Sequence, residues 1–222
     1  MDKVVCLMSG GIDTSVLMTK LVKEGKFVHG LMFDYGQGNF EATHEMAVGL
    51  CEKLDMPMRV IKIPHDWVKS SIMKGQEIKE GITNDNIYKK GVKELSWVPA
   101  RNNMFLLLAG SYAQSVDALD VYCAFQFDKV EWEAYDKLEN KWEFGGADLT
   151  PAFIDLVNET AKFNFKGKMK FHAPFVDEKL DCKEIVAIGR KLEVDFDKTY
   201  SCRYQPECDE CEQCIIRKER LK

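Results

Sequence analysis

Along the first half of the chain the apolar residues follow two rhythms in turn. Short, nearly unbroken runs fall at Lys3 to Met8 (KVVCLM), Phe27 to Phe33 (FVHGLMF), Met58 to Ile63 (MRVIKI) and Leu119 to Phe125 (LDVYCAF), and they predict strands. Helical spacing fills the gaps, over Thr14 to Lys23, Phe40 to Leu54 and Asn102 to Val116. In the second of these Ala42, Met46, Leu50 and Leu54 stand four apart on one face. Gly25 closes the first, and Pro57 stops any continuation of the second. Strands alternating with helices predict an α/β fold with a doubly wound, mostly parallel, Rossmann-like sheet. Ligands of such sheets lie beyond the carboxyl ends of the strands. The second half is less regular. Pro151 to Lys162 and Cys182 to Leu192 read as helices, while residues 128–147 are charged and aromatic without a clear period and predict a loop or lid.

One polar interruption stands at that carboxyl edge. SGGIDTS, Ser9 to Ser15, separates the first strand from the first helix. Glycines let the backbone adopt positive φ and come close to an anion. The N–H groups opening the next helix are unpaired and point outwards. Ser9, Thr14 and Ser15 add hydroxyl donors. Asp13 is the odd member, since it would repel phosphate; it makes sense as the helix N-cap or as a ligand to Mg²⁺. The turn lacks the lysine of a Walker A loop and is not G-x-G-x-x-G. A capped strand–helix turn without a ligand accounts for the same residues.

Composition narrows the function classes. A chain of 222 residues, 45% hydrophobic, suits one domain with a small appendage. No apolar run approaches the roughly 18 residues of a membrane span. No basic segment followed by a long apolar one opens the chain, so a cytoplasmic protein is expected. Net charge is −5 and no basic stripe is present, which argues against nucleic acid as the main partner. Lys162 to Lys170 (KFNFKGKMK) reads as a solvated loop. His29, His44, His65 and His172 do not pair at ligand or triad spacing and read as structural.

Cys6, Cys51, Cys123 and Cys182 lie scattered and read as packing thiols. The other cysteines, Cys202, Cys208, Cys211 and Cys214, crowd the end with spacing C-x5-C-x2-C-x2-C. In a cytosolic chain this argues for metal over disulfides. Four thiolates suit a structural zinc and outcompete Asp209, Glu210 and Glu212 for it. An iron–sulfur cluster is the alternative, but its usual further cysteine and proline are missing. Free thiols are a third reading.

S-G-G-x-D-[ST] after an N-terminal strand resembles the pyrophosphate loop of the N-type ATP pyrophosphatases. FDYGQ (Phe33 to Gln37), VPARNNMFLLLA (Val98 to Ala109) and TYSCRYQPECDECEQCIIRKE at the end follow in order. Together the four pieces resemble the 7-cyano-7-deazaguanine synthase family, QueC, over nearly the whole chain. The resemblance implies an adenine nucleotide alpha-hydrolase type of fold over residues 1–200, with a substrate lid around 128–147 and a zinc-binding tail over 201–222. It implies ATP with Mg²⁺, a 7-deazaguanine-type carboxylate and ammonia as partners, structural Zn²⁺, and a place in queuosine biosynthesis; a homodimer is one further expectation. The carboxylate would become an acyl adenylate, then an amide, then a nitrile.

By the same resemblance Leu7, Met8, Ser9, Gly10, Gly11, Ile12, Asp13, Thr14 and Ser15 bind ATP, joined by Tyr35 and Gln37. Ser9, Asp13 and Arg101 carry the chemistry, and Asp13→Asn should abolish pyrophosphate release with little shift in melting. Arg101, Asn102, Phe125 and Asp148 contact the base. An enzyme that stops at the amide or acts on a related substrate, and a non-catalytic nucleotide-binding zinc protein, are the competing readings.

The chain departs from the family pattern at several points. Thr14 stands for serine, and Ala100 stands for glycine, which demands an ordinary φ there. Gly38 and Asn39 follow YGQ where a basic residue and histidine are usual. A Y-P-D-C-R-type segment is replaced by a longer stretch in which Asp148, Leu149 and Thr150 take the last positions. Phe125, Phe127, Trp132 and Trp142 in that stretch could stack on a purine-like ring or pack the lid onto the body.

Overall fold

The computed structural model describes residues 1–64, 67–68, 70, 72–74, 97–143 and 146–222. Of the histidines, His65 lies outside the described residues. Five parallel strands form the sheet: β1 (Lys3–Leu7), β2 (Phe27–Asp34), β3 (Met58–Lys62), β4 (Asp120–Tyr122) and β5 (Lys170–His172), in the order β3-β2-β1-β4-β5. The central strand pairs Cys6 with Gly30 on one side and with Tyr122 on the other. The order reverses between β1 and β4, which is where such sheets open a ligand crevice.

Strand β1 is apolar without alternation because both of its faces are covered. Val4 and Cys6 enter one core with Val28, Met32, Val16, Leu17 and Ile185. Val5 enters the other with Leu31, Leu106, Val121 and Phe171. Helices α1 (Ile12–Lys23), α2 (Phe40–Lys53) and α7 (Cys182–Lys191) supply the first core. Helices α3 (Arg101–Ser115), α4 (Lys129–Lys137) and α5 (Pro151–Asn164) supply the second. A single turn, α6 (Pro174–Asp177), precedes α7, and α8 (Glu212–Leu221) ends the chain. Gly25, at φ 84, lets the chain leave α1, and Lys26 N–H then donates to the Leu21 carbonyl at 3.1 Å.

Several sequence expectations need correction. Residues 129–137 are not the aperiodic loop expected of them but a helix. Asp128 and Glu131 form a capping box that starts α4, and this helix lays Trp132 and Tyr135 against Phe127. Phe127 and Trp132 are buried and meet edge-on at 5.0 Å, so they are core. The Trp142 side chain lies outside the described residues. The Lys-rich stretch ends in strand β5, whose Phe171 is fully buried. Strand β4 is shorter than the apolar run that announced it: Cys123 N–H still donates to the His172 carbonyl at 2.9 Å, and residues 124–127 leave the ladder at the carboxyl edge.

Ala100 is a further correction. It does not impose an ordinary φ; it sits at φ 58, ψ 10, in the left-handed region, just before α3. The turn keeps a geometry that glycine serves without strain, at a cost of about 1–2 kcal/mol for an L-residue. Ala100→Gly is expected to stabilise the protein by about 1 kcal/mol, once the extra freedom of unfolded glycine is subtracted. That corresponds to a rise of about 2–4 °C in a thermal melt. A lower midpoint would contradict it.

Candidate active site and thiolate cluster

The turn after β1 is built around the Gly11 carbonyl, which accepts from the hydroxyls of Ser15 (2.8 Å) and Thr14 (3.3 Å). Ser9 N–H donates to Thr14 Oγ1 at 3.3 Å, and Gly11 N–H to Ser9 Oγ at 3.4 Å. The hydroxyls of Thr14 and Ser15 are thus turned inwards to brace the loop. Met8 and Ile12 bury their side chains in the core, so only their backbone can face a ligand. Asp13 is not the N-cap. Gly11 is, in extended conformation, and no side chain caps the helix. The first-turn N–H groups and the positive end of the α1 dipole therefore remain available to an anion.

Asp13 is instead held by Arg220 from the C-terminal helix. Nη1 donates to Oδ2 at 3.2 Å, and Nη2 makes a shorter bond to Oδ1. Burial works against the Arg220 charge, but Asp13 more than compensates and keeps the guanidinium above its ordinary pKa. This removes the puzzle of a carboxylate at an anion site. It also corrects the expectation that Asp13 acts independently of the fold, because its loss leaves a buried guanidinium without its counter-charge.

A second cluster forms at the ends of β2 and the start of α3. Arg101 lies 5.9 Å from the centre of the Tyr35 ring, whose neighbour Phe105 is at 5.3 Å. Asn102 is buried and donates to Asp148 Oδ2 at 2.9 Å. Burial pushes the Asp148 carboxyl above its ordinary pKa, and the Arg101 charge pulls it partly back. Thr150 caps α5 beside it, receiving Phe153 N–H at 3.2 Å. Tyr35, Arg101, Asn102 and Asp148 therefore share one neighbourhood. Phe125 packs half-buried on the edge of the core beyond β4. Gln37 spends its amide inside its own turn, accepting from Tyr35 N–H at 2.9 Å and donating to the Phe33 carbonyl at 3.0 Å. A cleft of about 1010 Å³ between α1, α2 and residues 192–205 contains none of the Arg101 group nor Ser9 or Asp13 in its walls, and we do not assign the chemistry to it.

The four tail cysteines come together. Their Sγ atoms all lie within 4.8 Å of one another, with Cys202 3.4 Å from Cys208 and 3.8 Å from Cys211, and Cys211 3.6 Å from Cys214. A tetrahedral ion with ~2.3 Å metal–sulfur bonds has edges of roughly 3.8 Å, so the donor set fits a soft cation. Backbone N–H groups of Tyr204 and Cys208 point at Cys202 Sγ (3.4 and 3.3 Å), and that of Cys211 at Cys208 Sγ (3.3 Å). Two of the interleaved acids are engaged elsewhere: Glu212 pairs with Arg203, and Asp209 with Lys218 at 3.1 Å.

The tail is also fastened to the first turn. Tyr200 N–H donates to the Gly10 carbonyl at 2.8 Å, Asn39 Nδ2 to the Cys202 carbonyl at 2.7 Å, and Ala42 N–H to Gln205 Oε1 at 3.3 Å. Arg217 binds the Thr199 hydroxyl at 2.7 Å. Sequence reasoning missed Arg217, Arg220 and the helix that carries them. The only local signal was pairwise: Cys214 with Arg217, and Arg217 with Arg220, are three apart and so neighbours along the helix.

An all-parallel sheet with a glycine turn and an uncapped helix at its switch point defines an α/β protein of the doubly wound, Rossmann-like class. The chain belongs to the family described as queuosine biosynthesis protein QueC, which it matches over residues 3–222. It is 31% identical over 223 residues to the 7-cyano-7-deazaguanine synthase of Desulfotalea psychrophila, covering 98% of this chain and 93% of that one. The protein of the same name from Methanococcus aeolicus is 30% identical, with 99% and 94% covered. That from Methanosphaera stadtmanae is 29% identical, with 97% and 92% covered. The chain is thus a member of an enzyme family. Among the described residues no helix is long and apolar enough to cross a membrane.

Proposed function

We propose that the protein is an ATP-dependent ligase that converts 7-carboxy-7-deazaguanine and ammonia to 7-cyano-7-deazaguanine. The substrate carboxylate oxygen attacks the α-phosphorus of ATP, and pyrophosphate leaves. Ammonia adds to the acyl carbon, and AMP leaves to give the amide. The amide oxygen attacks the α-phosphorus of a second ATP, pyrophosphate leaves, and loss of AMP and of both amide protons gives the nitrile. The observation that carries this reading is the uncapped start of α1 behind Gly10 and Gly11, open to a polyphosphate at the switch point.

Ser9, Gly10 and Gly11 would cradle the departing pyrophosphate. Arg101 would face a phosphate oxygen with two parallel donors. Asn102, Asp148, Tyr35 and Phe125 would line the base end. Mg²⁺ would arrive with the nucleotide, since both Asp13 oxygens are engaged by Arg220. Cys202, Cys208, Cys211 and Cys214 would hold a structural zinc that pins residues 201–222 onto the domain of residues 1–200. All eight cysteines are free, which supports a reducing, cytoplasmic setting.

The test is mass spectrometry of products from ATP, Mg²⁺, ammonium and the carboxylated base, followed in time. Amide that rises and then falls as nitrile appears is the expected course. Amide that accumulates, and is not consumed when supplied as substrate, leaves an amide-forming relative. No AMP formed at all leaves a non-catalytic nucleotide-binding protein.

A further inference from the structure

The tail reaches the phosphate turn at Gly10 and again at Asp13, and the second contact has a chemical role to explain. Asp13 is the second residue of α1, where a carboxylate suits the helix dipole yet sits beside the place a polyphosphate must occupy. Both oxygens are taken by one guanidinium fork. The Arg220 side chain is 10% exposed and that of Asp13 23%, so the pair is shielded from the solvent that would otherwise screen it. Arg220 Nε is buried without a partner among the described residues.

We propose that Arg220 is a positioning residue for polyphosphate binding. By cancelling the Asp13 charge it makes the start of α1 a net anion acceptor, without itself touching the nucleotide. This rests on the reading above that the turn holds ATP. The contrasting role, a clamp that only fastens α8, makes a different prediction for paired variants. With Arg220→Gln the Asp13 charge stands uncancelled against the phosphates. Adding Asp13→Asn removes that charge, so the double variant should bind ATP better than Arg220→Gln alone. A mere clamp would be as badly broken in the double variant.

The experiment is calorimetric titration of the full chain with Mg²⁺–ATP and, separately, with inorganic pyrophosphate, which needs no base substrate. Arg220→Gln is expected to weaken both ligands about ten-fold or more, Arg220→Lys to stay within about three-fold of the parent, and the double variant to recover at least about three-fold over Arg220→Gln. Arg220→Gln within about two-fold of the parent, or a folded double variant as weak as the expected ten-fold loss, overturns the proposal. Should Arg220→Gln fail to fold, the double variant and Arg220→Lys decide it by the same limits. A parent chain that binds neither ligand overturns the ATP reading of the turn and this inference together; a parent that binds with an indifferent Arg220 overturns the inference alone.

Discussion

Cys211→Ser is expected to release the metal and loosen the whole tail. Cys211 is buried, its Sγ touches those of Cys202 and Cys214, and its backbone N–H supports Cys208. Metal binding to such sites is folding energy, about 10–16 kcal/mol in isolated zinc-finger peptides. Here the sheet has cores of its own, so the loss should be confined to residues around the tail and amount to several kcal/mol, against a total stability of about 5–15. A thermal melt should fall by about 10 °C or more. Burial pushes the Cys202 thiol up to about 11, and the backbone N–H groups of Tyr204 and Cys208 pull it partly back. Elemental analysis of the parent should return about one zinc per chain. Less than about half a zinc, with no iron, would sink the assignment.

Gly10→Ala should be nearly as damaging, for a different reason. Gly10 is at φ 69, and a Cβ there would stand 2.1 Å from the Thr43 carbonyl oxygen and 2.9 Å from its carbon. The obstacle is backbone near the start of α2, so it cannot rotate aside. The left-handed conformation costs an L-residue about 1–2 kcal/mol before that overlap is counted. The loop must therefore shift, carrying the Gly10 carbonyl away from Tyr200 and the α1 N–H groups out of register. ATP affinity should fall by at least about ten-fold, roughly 1.4 kcal/mol, while circular dichroism shows the sheet retained. Gly49→Ala in α2 is the control, since a Cβ there meets nothing within 4 Å. It should bind ATP as the parent does and gain up to about 1 kcal/mol of helix propensity. A Gly10→Ala protein that binds ATP normally would remove the turn from the active site.

The parts of this molecule that sequence reveals are those in which the governing contacts are local. β1, α1, β2 and α2 read correctly because apolar period and glycine punctuation act within a few residues. The thiolate cluster read correctly because its ligands span 202–214 and spacing alone brings them together. Helix α4 was hidden by its charge: Lys129, Glu131, Glu133, Asp136 and Lys137 mask the buried pair Trp132 and Tyr135, although Asp128 and Glu131 were a readable cap. Strand β5 was hidden by its shortness, with one buried residue, Phe171, between Lys170 and His172. Ala100 misled because residue type predicts φ only on average, and here the turn overrules it. The partner of Asp13 could not be read at all, being 207 residues away.

That separation has a consequence for how the protein is made. The turn after β1 is completed by residues far along the chain, through Tyr200 on Gly10 and Arg220 on Asp13. A nascent chain emerges at about 5–20 residues per second, so roughly 10–40 s pass between synthesis of Asp13 and of the arginine that holds it. During that interval β1, β2 and α1 can assemble from their own neighbours, but the turn lacks the contacts that complete it. On the reading that the turn holds ATP, a ribosome-bound chain stopped before residue 199 should carry the sheet and still fail to retain the nucleotide.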